Sequence, residues 1–134
     1  MADRSKKFWS YGTYSGVLST GVVAEKGKLA CLNTANGKIT KGYVSTTIVP
    51  IGYFLESKTG DDVEEIEVQL FKEIFVHQWD NSSGDPVAAT QIGSDCYIED
   101  DTTVSGTDGG STQSAAGRVW GVTSTHVLVQ MVGF

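Results

Sequence analysis

Two histidines, His77 and His126, and one run of three acids, Glu99-Asp100-Asp101, are the groups in this chain of 134 residues best suited to move protons or hold a cation. Histidine changes charge near neutral pH, and neighbouring carboxylates bind hard cations through oxygen. Neither set comes with the spacing that its chemistry needs. A calcium loop alternates oxygen ligands, bends at a glycine and closes with a carboxylate; DDTTVSGTDGG, residues 100–110, lacks that order. A catalytic triad is recognised by geometry, and no GxSxG elbow accompanies the histidines, Asp80, Asp85 or the many serines. Cys31 and Cys96 lie outside any CxxC and away from histidine, so they are expected to be small buried apolar residues rather than metal ligands. The glycines of GTDGG are not followed by Lys-Ser or a helix, as a phosphate loop would require. The residues therefore point to no catalytic group, no metal and no cofactor.

The elements that would carry these residues are strands. In EEIEVQL, Ile66, Val68 and Leu70 alternate with polar residues, which places three apolar side chains on one face of a half-buried strand. A short helix over VEEIEVQLFKEI is the competing reading, and the alternation favours the strand. AGRVWGV and HVLVQMV flank Thr123-Ser124-Thr125 as the two arms of an antiparallel pair. Asn36-Gly37 marks a tight turn, and Pro50, which cannot donate to a ladder, is expected to end or edge a strand. His77, in FVHQWD, and His126, at the head of the last strand, read as ordinary strand residues.

Composition agrees with that reading. Charged residues make up only 19% and glycines number 16, a profile of strands and turns in one domain of ordinary size. The expected fold is all-β: a single compact barrel-like or sandwich-like domain over residues 17–134, led by an extended arm over residues 1–16. No stretch reaches the roughly 20 apolar residues of a membrane span, and MADRSKKFWSYGTYSG lacks the apolar segment of a signal peptide. The expectation is a soluble protein made in the cytoplasm, with no membrane partner.

Charge is split along the chain. Residues 1–41 hold seven Lys or Arg against Asp3 and Glu25, whereas residues 42–134 hold Lys58, Lys72 and Arg118 against fourteen acids. An acidic body repels phosphate backbones, and the N-terminal cations form no stripe interleaved with stacking aromatics, so no nucleic-acid partner is expected.

One internal correspondence needs no outside knowledge. ACLNTANGKIT, residues 30–40, lies on DCYIEDDTTVS, residues 95–105, at an offset of 65. Cys31 meets Cys96, Leu32 meets Tyr97, and Ile39 meets Val104. The same offset carries Ile51-Gly52 onto Ala116-Gly117 and Phe54-Leu55 onto Val119-Trp120; after a gap, Val68-Gln69-Leu70 meets Val129-Gln130-Met131. Either the domain holds two similar β units sharing one core, over 27–70 and 92–131, or strands are reusing the same residue types. In this register the three acids fall beside the Asn36-Gly37 turn, which reads as a solvated turn.

Phe8, Trp9, Tyr11 and Tyr14 cluster with Lys6 and Lys7 in the first 16 residues, and aromatics there need burial. They suit an arm that adds to a neighbouring subunit through pockets and strand pairing, or else the first strand of the domain's own core.

GDPVAATQIGSDCYIEDDTTVS, followed by SAAGRVWGV and HVLVQM, resembles the head decoration or cement proteins of tailed bacteriophages. The upstream VPIGYFLESKTGDDVEEIEVQL is similar to the same pattern, so the resemblance spans about residues 27–132. The chain departs from it in the basic aromatic N-terminus and in FKEIFVHQWDNSSG, which reads as an insertion. The resemblance implies an all-β protein, usually a homotrimer, bound to the capsid exterior across junctions of the major capsid protein and stabilising the assembled shell. Lys6, Lys7, Phe8, Trp9, Tyr11 and Tyr14 would then lie at the interface. Two other classes stay open. A carbohydrate-binding module would use Trp79, beside Asp80-Asn81, or Trp120 as a stacking platform, and an enzyme would need His77 or His126 gathered with carboxylates. A head fibre base or tail component is a neighbouring virion role.

Overall fold

The computed structural model describes residues 12–71 and 75–131. The fold is nearly all β, as the alternation requires. Twelve strands form among the described residues: β1 (Thr13–Val17), β2 (Val23–Ala24), β3 (Leu29–Asn33), β4 (Lys38–Lys41), β5 (Ile48–Phe54), β6 (Lys58–Thr59), β7 (Glu65–Leu70), β8 (Phe75–Asn81), β9 (Asp95–Ile98), β10 (Thr103–Ser105), β11 (Ala115–Val122) and β12 (His126–Met131). Among the described residues the one helical element is a single 3-10 turn, Ala89–Gln91. The helical reading of the segment around β7 fails because Ile66 and Val68 need the same face of a pleated strand, where both are buried.

Two five-stranded units result. The first has the order β1-β7-β5-β3-β4, with a small β2-β6 pair beside it; the second is a closed barrel, β10-β8-β12-β11-β9. Traced from its first strand, each unit follows one plan, since β8, β12, β11, β9 and β10 take the places of β1, β7, β5, β3 and β4. The register follows as well. Gly52 pairs with Ala30 in one unit and Gly117 with Cys96 in the other. Tyr14 pairs with Val68, and His77 with Val129. Even the parallel closure repeats: Leu18 bridges Ile39, and Asn81 pairs with Val104.

Both units bulge at the same place. Ile51 is the extra residue between the Cys31–Pro50 and Ala30–Gly52 pairs, and Ala116 is the extra residue between Tyr97–Ala115 and Cys96–Gly117. A bulge sets two successive residues against one and bends the strand. Pro50 therefore sits inside β5, not at its end. It is tolerated there because it adjoins the bulge and lies outside the β7 ladder, which covers only Gly52–Phe54. In this register Cys96 corresponds to Ala30 and Tyr97 to Cys31, so the two cysteines are not counterparts.

Each unit fills its own interior. Leu18, Ala30, Ile39, Ile51, Phe54, Ile66 and Val68 form one cluster, in place of the single shared core expected from sequence. The second cluster holds Cys96, Ile98, Val104, Val119, Val127, Val129 and Met131, and takes in Leu29, Cys31, Ile48 and Phe71 from the first half. Those four, from β3 and from either end of the β5–β7 region, join the halves. At about 1.5–3 kcal/mol per large apolar side chain buried, the clusters carry most of the stability. FVHQWDN, which read as part of an insertion, is β8, a barrel strand paired with both β12 and β10.

Candidate docking surfaces

Lys6, Lys7, Phe8, Trp9 and Tyr11 lie outside the described residues. Tyr14 does not belong to an arm: it sits in β1, partly buried, and packs against the first cluster beside Ile39. The sheet thus begins at Thr13, earlier than the boundary at residue 17.

Trp79 is not a stacking platform. It is only 6% exposed, its ring stacks on His77 with centroids 5.3 Å apart, and its indole Nε1 donates to Met131 Sδ at 3.4 Å. Asn81 is also committed: its carboxamide receives the Val87 N–H at 2.8 Å and donates to the Val87 carbonyl at 3.1 Å, pinning the loop after β8. Trp120 is the reverse case. It is the extra residue of a second bulge in β11, between the Val119–Val129 and Gly121–Leu128 pairs, and the bulge turns it outward to 61% exposure.

The histidines part company. His77 packs between Tyr53, Phe71 and Trp79, and burial pushes its pKa below the ordinary value. His126 comes within 3.3 Å of Asp80 through Nε2, while its Nδ1 lies 2.7 Å from Thr125 Oγ1. Strand register makes this meeting, for His126 pairs with Asp80 between β12 and β8; nothing in the local sequence of either residue announces it. Hydroxyl, imidazole and carboxylate follow the order of an acyl-transfer triad, but all three stand at an exposed strand end, where solvent screens the pair.

His126 and Asp80 border an open cleft of about 270 Å³ between the units, with Lys26, Lys28, Gln78 and Thr102 around it. The acid run directly precedes Thr102, which lines the cleft, and only part of that run is solvated. Asp100 closes a local turn, its carboxylate accepting from the Thr102 N–H at 2.9 Å and the Thr102 hydroxyl at 3.1 Å. Burial works against its charge, but these donors outweigh burial and hold the carboxyl below its ordinary value. Asp101 is half-buried; burial raises its pKa over the opposing pull of Lys28 and Lys41. Its carbonyl accepts the Leu29 N–H at 2.9 Å, so this turn fastens the two units together. Glu99 accepts the Ser82 hydroxyl at 2.6 Å. Among the described residues no group of three or more His, Cys, Asp or Glu could hold a metal ion, and no helix is long and apolar enough to cross a membrane.

What the surface offers instead is apolar area. Val63 at 75%, Trp120 at 61% and Ile92 at 53% are the most exposed large hydrophobic side chains among the described residues. Ile92 precedes Gly93, whose N–H donates to Val119, the neighbour of Trp120. The chain matches no family model, no curated protein and no solved structure.

Proposed function

We propose that this protein is a structural component of a tailed-phage virion, a decoration or cement protein that binds the outer surface of the assembled capsid and stabilises it. The supporting observation is the set of exposed apolar residues, Val63, Ile92 and Trp120, on a scaffold of two packed β units. Its partner is the major capsid protein, and its working form is a homotrimer that spans several capsid subunits. It performs no catalysis and needs no cofactor, nucleic acid or membrane.

A protein that binds the assembled shell and not its dissociated subunits stabilises the shell by linkage. A trimer strengthens this by making its second and third contacts intramolecular. Lys6, Lys7, Phe8, Trp9 and Tyr11 are proposed interface residues; they lead directly into β1, so whatever they grip is held within a few residues of the sheet.

Quantitative sedimentation of nuclease-treated lysate from the native source tests this. Co-sedimentation with a large particle in hundreds of copies, on the order expected for a lattice protein, is the expected result. A handful of copies per particle would point to a fibre base or tail position, and recovery only in the soluble fraction would overturn the proposal. Deleting residues 2–11, which spares β1, is expected to weaken particle binding without changing the melting temperature.

A second reading rests on Trp120, whose exposed indole also suits a sugar ring. A glycan array separates the two: retention of any glycan that the Trp120→Ala variant fails to retain would favour a carbohydrate-binding module.

A further inference from the structure

Asparagine is chemically labile and loses its side-chain amide without an enzyme. The backbone nitrogen of the next residue attacks the carboxamide carbon, ammonia leaves, and water opens the resulting cyclic imide to aspartate or isoaspartate. The attack needs an unhindered following residue, a carboxamide folded back over the backbone, and solvent to take the proton from the attacking nitrogen. The chain has three asparagines, Asn33, Asn36 and Asn81, and the fold treats each differently.

Asn81 is locked. Its carboxamide exchanges two hydrogen bonds with Val87, and Ser82, which would have to attack, is buried. Asn33 has its carboxamide folded back, with Oδ1 accepting the Ala35 N–H at 2.9 Å. The next residue, however, is Thr34, whose branched Cβ crowds its own nitrogen and whose N–H is held by the Thr47 carbonyl at 2.7 Å.

Asn36 meets every requirement. Its Oδ1 accepts the Lys38 N–H at 2.9 Å, the same arrangement two residues ahead that Asn33 makes. This bond holds the carboxamide over Gly37, and its donor stabilises the negative charge that builds on the oxygen during attack. Gly37 has no Cβ, takes a left-handed φ of 72°, and has nothing within 4 Å of where a Cβ would stand. Residues 34–37 are exposed at the tip between β3 and β4. One interaction works the other way: the Gly37 N–H donates to the Asn33 carbonyl at 2.8 Å. That bond belongs to an exposed turn, where local opening costs little and leaves both cores closed.

We propose that Asn36 is a site of spontaneous modification, converted to aspartate and isoaspartate in the folded protein with the Gly37 nitrogen as the nucleophile. Each conversion adds a negative charge two residues from Lys38, whose ammonium lies 3.2 Å from Asp62. Isoaspartate also threads one extra carbon into the backbone between Asn33 and Lys38, the pair that closes the β3–β4 hairpin. The converted chain is therefore expected to hold β4 less firmly and to melt below the unmodified one.

Incubation of the full folded chain in water labelled with heavy oxygen, at neutral and mildly alkaline pH, tests this through peptide mapping by mass spectrometry. The expected result is first-order gain of a labelled oxygen with loss of ammonia at residue 36, faster at the higher pH. It should run more than about tenfold ahead of any change at Asn33 or Asn81. Thiol labelling in the same sample reports opening of the fold, since Cys31 and Cys96 are buried. The free peptide of residues 34–38 serves as the reference. An Asn36 that stays intact after that peptide has converted would overturn the proposal. Equal conversion at Asn33 or Asn81, or conversion confined to molecules whose thiols have reacted, would do the same.

Discussion

Gly27 and Gly93 hold one position in two units. Both are left-handed, at φ 87° and 91°, and both donate their N–H at 2.8 Å to the carbonyl of a strand residue, Phe54 or Val119. That strand residue returns its own N–H to the residue just after the glycine. The turn is therefore one piece of backbone geometry used twice, and it leads into β3 and β9 alike.

Glycine substitutions should separate conformational need from space. A Cβ on Gly117 would lie 2.6 Å from the Gln130 carbonyl oxygen, so Gly117→Ala is expected to cost roughly 1–3 kcal/mol through forced backbone movement. Gly93→Ala meets no neighbour but must hold a left-handed φ, at about 1–2 kcal/mol. Gly84 has neither constraint, and Gly84→Ala is expected to be neutral or slightly stabilising. Urea unfolding of the three variants checks the ranking; a Gly117→Ala protein as stable as Gly84→Ala would refute the close approach.

The two tryptophans of the described second unit should behave oppositely. Trp79→Ala empties a buried site against His77 and Met131 and is expected to lose about 3–5 kcal/mol. Trp120→Ala removes an exposed side chain and is expected to stay within about half a kcal/mol. Equal losses in chemical denaturation would contradict the assigned burial.

The acid turn should show two opposite pH dependences. Asp100 has a folded pKa below its ordinary value of 3.8, so its contribution is present above that value and lost as pH falls through the folded pKa. Asp101 has a folded pKa above 3.8, so its ionised form opposes folding above the folded pKa, and that penalty disappears on acidification. Asp100→Ala is expected to melt lower than the unmodified protein at neutral pH, and Asp101→Asn higher, with both differences narrowing in acid. Melting curves across the acid range decide this, and shifts of the same sign for both variants would be inconsistent with it.

The thiols should be silent until the fold opens. Cys31 and Cys96 are buried and form no disulfide, and burial pushes both thiols up, Cys96 to about 12. Reaction with a thiol reagent at neutral pH is expected to follow the opening of the structure. Labelling at the rate of an exposed cysteine would contradict the packing.

Much of the strand pattern was legible because burial on one face imposes a period of two. Ile66, Val68 and Leu70 gave β7, and Val127, Val129 and Met131 gave β12. The hairpin at Thr123–Thr125 and the turn at Asn36-Gly37 followed from β-branched runs interrupted by turn residues. Bulges were not legible, since an extra residue leaves no mark in composition while it reverses which side chains face inward. For that reason Pro50 fell inside β5, and Trp120 turned out to be exposed. The first strand was hidden by its polar Thr-Tyr-Ser-Gly sequence, and β8 by its histidine and charged flank.

The sequence by itself determined an all-β chain, buried cysteines and acids confined to a turn, because side-chain type and local period decide those without reference to distant residues. Only the tertiary structure decided that two units follow one plan, each with its own core, and that His126 meets Asp80. It also decided that Val63, Ile92 and Trp120 stay outside. These depend on strand register and closure between segments far apart in the chain, where a shift of one residue exchanges the inner and outer faces.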